Sequence, residues 1–384
     1  MLNIKKIKYI NLYEGITDPV EIIKIIHAPR VYNSLVRYVE YPETQEEIYA
    51  KLSEKDIERL KKYVMQLINN DDMDTAVLIL SRLVCFNNIH INKCLELLIE
   101  KGHYYPGILF KNASQSIRDC LIDKLEHDTE NRNDILIALS WIGESKVVEL
   151  FNNWRKKLTG WSKELYISPE ECSFEAGWML TEEGNREDLF YSECYPLIVG
   201  EPSHSEPICI IDKNEDICPW CGIRMTTLFD IDLKDPVFHF MGLKGERLKV
   251  STCHVCACYG DIYTEIDFNG LSKWYSGNKK PDYLPEISNP EEEVLKVSKS
   301  ITISKVPRNP YFAANPLNDT AFSQIGGHPT WIQRAQYPLC PKCRKPMKFI
   351  GQFDCGYFVE YGEGIYYAFI CEDCNMAATH YQAT

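Results

Sequence analysis

Two stretches of the chain, ICPWCGIRMTTLFDID (217–232) and LCPKCRKPMKFIGQFD (339–354), align without a gap at a constant offset of 122 residues. The alignment matches Cys218 to Cys340, Pro219 to Pro341, Cys221 to Cys343, Met225 to Met347 and Asp232 to Asp354. A second cysteine pair follows each copy: Cys253 and Cys256 after 31 intervening residues, Cys371 and Cys374 after 27. Two thiolates on one tight turn present half a tetrahedron, and a second turn supplies the rest. Such a closed set suits a soft ion held for structure, above all zinc. The pattern predicts two zinc-ribbon-like sites on an internal duplication, Cys218, Cys221, Cys253, Cys256 and Cys340, Cys343, Cys371, Cys374, with one structural zinc in each. A redox dithiol explains a lone C-x-x-C, not two pairs in series repeated twice. An iron–sulfur cluster is the remaining rival.

The rest of the chain reads as two textures, together an α+β protein. From about Val20 to Leu158 apolar residues recur every three to four positions, most clearly over Thr75–Phe86, Ile91–Lys101, Gln115–Glu126, Asn133–Ile142 and Lys146–Leu158. Turns such as NNDDMD (69–74) and HDTENRND (127–134) separate them, so residues 1–160 are expected to form an α-helical solenoid of HEAT type. The stretch ILIALSWIGESKVVELFNNW (135–154) resembles one HEAT repeat. Beyond residue 160, aromatic and β-branched runs broken by Gly and Pro predict strands. The expected order is a first β-rich zinc module at 161–277, a Pro- and charge-rich linker at 278–316 that can hold an edge strand, and a second module at 317–384.

Residues 1–160 carry 22 basic and 23 acidic side chains, so nearly all of the net charge of −13 belongs to the second part. That acidity argues against nucleic acid, whose binding depends on neutralising phosphates. The start MLNIKKIKYINLYEG lacks the apolar core of a signal peptide, and no apolar run reaches the roughly 20 residues of a membrane span. A cytoplasmic protein away from membranes is expected, in which 16 cysteines serve metal binding and packing rather than disulfides.

Cys85, Cys94 and Cys120 lie in helical patterns beside Leu and Val and are expected in the core. Cys258, two residues past Cys256, is an alternative ligand in place of it, and Cys355 is expected to pack near the second site. Cys172, Cys194 and Cys209 lack paired spacing; with His204 they form a third site or are scattered core thiols. His254 inside the first knuckle is expected beside the metal rather than on it. His328 lies in a Gly-Gly turn without an acidic partner or a nucleophile motif nearby, which favours turn structure over catalysis.

The run IGGHPTWIQ (325–333), then 339–354 and the closing GIYYAFICEDC (364–374), resembles the YwqG-like family of bacterial proteins and the carboxy-terminal region of programmed cell death protein 2. Both have a Gly-Gly-x-Pro turn with a following Trp ahead of a cysteine pair and a segment like M-x-F-x-x-Q. The resemblance covers about residues 320–384 and reaches back to about 165 through the internal repeat, where the turn is at best VGEP (199–202). It implies a duplicated, β-rich, zinc-bearing module that binds proteins as an adaptor, chaperone or toxin-immunity-like factor.

Three classes of function are therefore weighed. A protein-binding role without catalysis is favoured, with His328, Trp331 and the basic edge Lys342, Arg344, Lys345 and Lys348 as contact candidates. The alternatives are an enzyme with a cleft between the helical and zinc-bearing parts, for which no motif speaks, and a zinc-ribbon nucleic-acid binder.

Overall fold

The computed structural model describes residues 7–157, 159–200, 206–287, 295–318 and 322–383. The chain divides into two compact units, Met1–Val147 and Val148–Thr384. The fold is α+β: a helical region followed by β-sheets that carry two four-cysteine clusters.

In the first unit, a parallel pair β1 (Lys8–Ile10) and β2 (Val36–Tyr38) accompanies α1 (Pro19–His27), α2 (Gln45–Ala50), α3 (Glu54–Asn69), α4 (Met73–Asn87), α5 (Asn92–Glu100), α6 (Gln115–His127) and α7 (Arg132–Ile142). Local chemistry sets several of the helix starts. Ser53 and Asp56 form a capping box on α3, Thr44 and Glu47 another on α2, and the Asp72 and Ser114 side chains cap α4 and α6. α4 is buried almost all round its circumference and lies against α2 and α3, while α7 lies against α6. Cys85 and Cys94 are in this core, as expected. Cys120 is exposed, because the buried stripe of α6 runs through Ile117, Leu121 and Leu125, and Cys120 sits a third of a turn away from it.

The unit boundary falls inside α8 (Ser145–Lys156), ahead of the 160 read from the sequence. Phe151 packs on Trp178, and Trp154 packs on Phe151 and Trp161, so the end of this helix is buried by the second unit's own aromatics.

The second unit contains a short hairpin, β3 (Trp178–Leu180) with β4 (Arg186–Asp188), and two larger antiparallel sheets. One has three strands, β6 (Ile208–Ile217), β7 (Arg224–Asp232) and β8 (Arg247–Thr252). The other joins eight: β5 (Tyr191–Val199), β9 (Ile262–Ile266), β10 (Ser272–Trp274), β11 (Ile301–Ile303), β12 (Gln324–Gly327), β13 (Lys348–Asp354), β14 (Ile365–Cys371) and β15 (Met376–Gln382), in the order β10-β9-β15-β14-β13-β12-β5-β11. A single helical turn, α9 (Cys355–Phe358), follows β13. The segments 161–277 and 317–384 are therefore not separate bodies, since β9 pairs with β15 and β5 with β12. Within 278–316, Ile301–Ile303 is the edge strand, and the segment is tied down at Arg308, whose backbone N–H donates to the Cys194 carbonyl.

Strand alternation divides the core in two. On β14, Tyr366, Ala368 and Ile370 share one cluster with Leu228, Phe229, Leu248 and Val250 of the small sheet. Ile365, Tyr367 and Phe369 join a second cluster with Trp331, Tyr337, Met347 and Phe349. A sheet buried on both faces must hold its register, because a slip of one residue exchanges the two side-chain sets.

The backbone demonstrates the duplication. β7 pairs with β8 through Thr226↔Thr252, Thr227↔Ser251, Phe229↔Val250, Asp230↔Lys249, Ile231↔Leu248 and Asp232↔Arg247, with a bulge between Thr227 and Phe229. β13 pairs with β14 through Lys348↔Ile370, Phe349↔Phe369, Gly351↔Ala368, Gln352↔Tyr367, Phe353↔Tyr366 and Asp354↔Ile365, with a bulge between Phe349 and Gly351. Every pair, bulge included, is the counterpart of a pair in the other copy. The next strand extends the match, since Cys209↔Asp230 and Ile210↔Phe229 correspond to Gln324↔Gln352 and Ile325↔Gly351.

This register places Ile211 opposite the first glycine of the Gly-Gly-x-Pro turn, correcting the VGEP (199–202) assignment, of which 201–202 lie outside the described residues. Gly326 has φ +73° and Ile211 has φ +56°. The copies share a left-handed residue even where one has replaced glycine by a β-branched side chain, a conformation that costs about 1–3 kcal/mol. A Cβ on Gly326 would lie 2.2 Å from the Glu193 carbonyl oxygen. Gly326→Ala is therefore expected to cost about 2–4 kcal/mol in chemical denaturation, from strain and overpacking together. Unchanged stability would show that β12 shifts freely at this point.

Candidate metal centres

Each cysteine pair sits on a turn whose backbone hydrogen bonds aim both sulfurs inward. In the first, the Gly222 N–H donates to the Cys218 carbonyl at 2.9 Å and the Cys218 N–H to the Ile223 carbonyl at 2.8 Å. In the second, Arg344 donates to Cys340 at 2.8 Å and Cys340 to Lys345 at 2.9 Å. Both turns close on a left-handed residue, Gly222 at φ +77° and Arg344 at φ +65°. The far pairs differ. Cys253 and Cys256 lead into a 3-10 turn, Cys256–Tyr259, whereas Cys371 and Cys374 close on left-handed Asn375.

The eight cysteines assemble as two sets of four, with the sulfurs of each set within 4.8 Å of one another. Sγ of Cys218 lies 3.8 Å from that of Cys256, Cys221 3.5 Å from Cys253, and Cys343 3.7 Å from Cys371. A tetrahedral ion about 2.3 Å from each sulfur spaces the sulfurs by roughly 3.8 Å, whereas a disulfide would bring two of them to about 2.05 Å. All sixteen cysteines are free thiols. Each cluster is able to hold one metal ion.

Electrostatics inside the first cluster call for a cation. Hydrogen bonding from Cys218, then from Cys253 and Cys256, holds the Cys221 thiol well below its ordinary range. The Cys256 thiol is pushed far above it, first by Cys218 and then by Cys221 and Cys253. Protons alone cannot let all four sulfurs ionise at this spacing. A metal ion does, because the thiolate is the ligand and its charge is then compensated.

The methionines of the repeat sit in matching places. Met225 is buried in one cluster with Cys218, Cys253 and Cys256, and Met347 in the other with Cys340, against Cys343, Cys371 and Cys374. Cys256 completes the first set, while exposed Cys258 donates its S–H to the His254 carbonyl at 3.4 Å. His254 is buried beside the centre, its Nδ1 3.2 Å from the Thr226 hydroxyl. Cys355 is buried at the start of α9 in the core that contains the first cluster, not near the second.

No third cluster forms among the described residues. Buried Cys172 donates to the Ser168 carbonyl and buried Cys194 to Gln324 Oε1 at 3.2 Å; Cys209 is exposed on β6, and His204 lies outside the described residues.

The contact candidates divide. His328 is fully buried, with Nδ1 2.8 Å from the Pro329 carbonyl and Nε2 3.1 Å from that of Glu175, and burial lowers its pKa to about 4. Its ring lies between the turn and the segment Pro169–Ala176, and in the neutral form its single N–H donates to one of the two carbonyls. Trp331 is only 5% exposed and stacks on Tyr367 and Phe369, at ring-centroid distances of 5.1 and 6.4 Å. Neither is an exposed anchor, because strands and loops distant in sequence close over both. Lys348 is half-buried with Nζ 4.3 Å from the Tyr191 ring centroid, and burial lowers its pKa. Lys342, Arg344 and Lys345 are exposed, and Lys342 Nζ spans from the Cys374 carbonyl at 3.3 Å to Glu265 Oε1 at 3.2 Å. That Lys342 bridge was not legible in the sequence, since Glu265 belongs to the first copy.

No helix among the described residues is long and apolar enough to cross a membrane. No protein-family model matches the chain, and no solved structure matches it significantly. Over 384 residues, 99% of this chain and 89% of the relative, it is 33% identical to the uncharacterized protein YpfL of Salmonella typhimurium strain LT2. With both four-cysteine frames inside that full-length match, the chain belongs to the YpfL family.

Proposed function

We propose that the protein is a zinc-stabilised protein-binding factor of the cytoplasm, acting as an adaptor, chaperone or immunity-like protein, with no catalysis at its metal centres. The observation that carries this reading is the closed donor set. Four sulfurs occupy all positions of a tetrahedral ion in each cluster and leave none for water or substrate, which is the arrangement of structural zinc. Four thiolates on two turns of a β-hairpin frame are the plan of a zinc ribbon. Sixteen unpaired thiols suit a reducing compartment. Successive packed helices in Met1–Val147 agree with a HEAT-like solenoid, a scaffold that binds extended partners.

The exposed basic edge Lys342, Arg344 and Lys345 stands on an otherwise acidic half of the chain, so the partner it fits is an acidic protein segment. The sequence resemblance to YwqG-like and programmed cell death protein 2 modules supports the same role. Affinity purification from native cytosol at low salt is expected to retain an acidic protein that elutes as salt rises. The double variant Arg344→Glu/Lys345→Glu is expected to lose about tenfold or more of the captured partner at unchanged metal content and melting temperature. Unaltered capture, or turnover of a small molecule by the purified chain, would overturn the reading.

A further inference from the structure

The two clusters stand on the same ladder, bulge and first knuckle, and differ in the turn of the far cysteine pair and in their surroundings. In the first, Cys218, Cys253 and Cys256 are buried and only Cys221 is half-buried. In the second, only Cys340 is buried, and Cys343, Cys371 and Cys374 all reach the surface in part. Trp220, between the first two ligands of the first knuckle, packs edge-on against Trp274 at 5.1 Å. Its counterpart in the second knuckle is exposed Lys342. Where the first turn continues Gly222-Ile223, the second continues Arg344-Lys345, both exposed, while exposed Glu372 and Asp373 stand between Cys371 and Cys374 on the other turn. Reactive cysteines are those in partly exposed, electropositive surroundings, whereas buried ones are inert.

We propose that the second cluster is a thiol redox switch: hydrogen peroxide converts Cys343 and Cys371 to a disulfide and expels the metal ion, while the first cluster keeps its own. This rests on the metal reading of the clusters given above. One thiolate sulfur, of Cys343 or Cys371, attacks a peroxide oxygen; the O–O bond breaks, leaving a sulfenic acid and a hydroxide that takes a proton to become water. The other thiolate, 3.7 Å away, attacks the sulfenic sulfur, forms the S–S bond and displaces a second hydroxide, which is likewise protonated. Two sulfurs lose two electrons, peroxide gains them, and the ion is left with two of its four ligands. Release also loosens the turn that Lys342 ties to Glu265 and that covers Met347 in the core with Trp331.

The test treats the full-length, metal-loaded protein with hydrogen peroxide and follows metal release with a chromophoric chelator, native mass and disulfide mapping. The expected result is one ion released about ten times faster than the other, together with a Cys343–Cys371 disulfide that thiol reductant and metal reverse. Arg344→Gly/Lys345→Gln reproduces the uncharged turn of the first copy and suits the left-handed φ of residue 344. It is expected to slow release about threefold at unchanged metal content and melting temperature. Equal release from both clusters, earlier oxidation of Cys221 or Cys253, or an unchanged rate in the charge variant would overturn the switch. Fewer than two ions in the untreated chain would overturn the metal reading beneath it.

Discussion

Stripping both metal ions is expected to unfold Val148–Thr384 while Met1–Val147 keeps its helical signal in far-ultraviolet circular dichroism. The magnitude follows from comparing two quantities. A structural zinc site contributes an apparent binding free energy of about 10–16 kcal/mol at neutral pH, whereas a whole domain is stable by only about 5–15 kcal/mol. The first cluster sits within the core shared by the two sheets, so its loss leaves four thiols without their cation inside the packing that holds the unit together. The helical unit has its own core and no cluster among its described residues. Single substitutions separate the effects. Cys340→Ser or Cys371→Ser is expected to remove one ion of two, and Cys85→Ala to retain both at a cost of roughly 1 kcal/mol. Metal analysis with thermal melting checks each. Loss of the helical signal in step with the metal would show that the two units do not fold independently.

The two four-cysteine sets were legible in the sequence because coordination chemistry fixes residue type and spacing together. Helices α4 to α8 were legible to within about two residues from their periodicity, whereas α1, α2 and α3 were given no bounds within the helical pattern. The three-residue strands β1 and β2 are too short to show a period of two, and they passed unread. α8 shows its helical period but not which unit buries it, a matter decided by Trp161 and Trp178. The bulge common to both copies and the equivalence of Ile211 with Gly326 are backbone properties, invisible once the glycine has been replaced. The fold also joined the copies into one sheet through β5 and β9, long-range pairings that no local pattern encodes.

Trp331→Ala is expected to lower stability by about 3–5 kcal/mol, the usual cost of emptying a large aromatic site in a core. For a unit of this size that corresponds to a fall in melting temperature of about 10 °C or more. A tryptophan beside a Gly-Gly-x-Pro turn reads equally well as an interface anchor or as a cap on the β core, and burial decides between them. The indole stacks on Tyr367 and Phe369 and meets Tyr337 edge-on at 5.2 Å. The Thr330 N–H donates to Gln352 Oε1 on β13 and the Gln333 N–H to Gln382 Oε1 on β15, binding the same stretch to both strands. The polar frame holds the backbone while the ring fills the space, so truncation leaves a cavity that rigid neighbours close only in part. Differential scanning calorimetry on the metal-loaded protein measures the loss, and Trp331→Phe is expected to recover part of it by keeping one aromatic ring in the stack. Should Trp331→Ala instead melt with the wild type while partner capture fails, the ring would be a contact surface and this core would be open in solution.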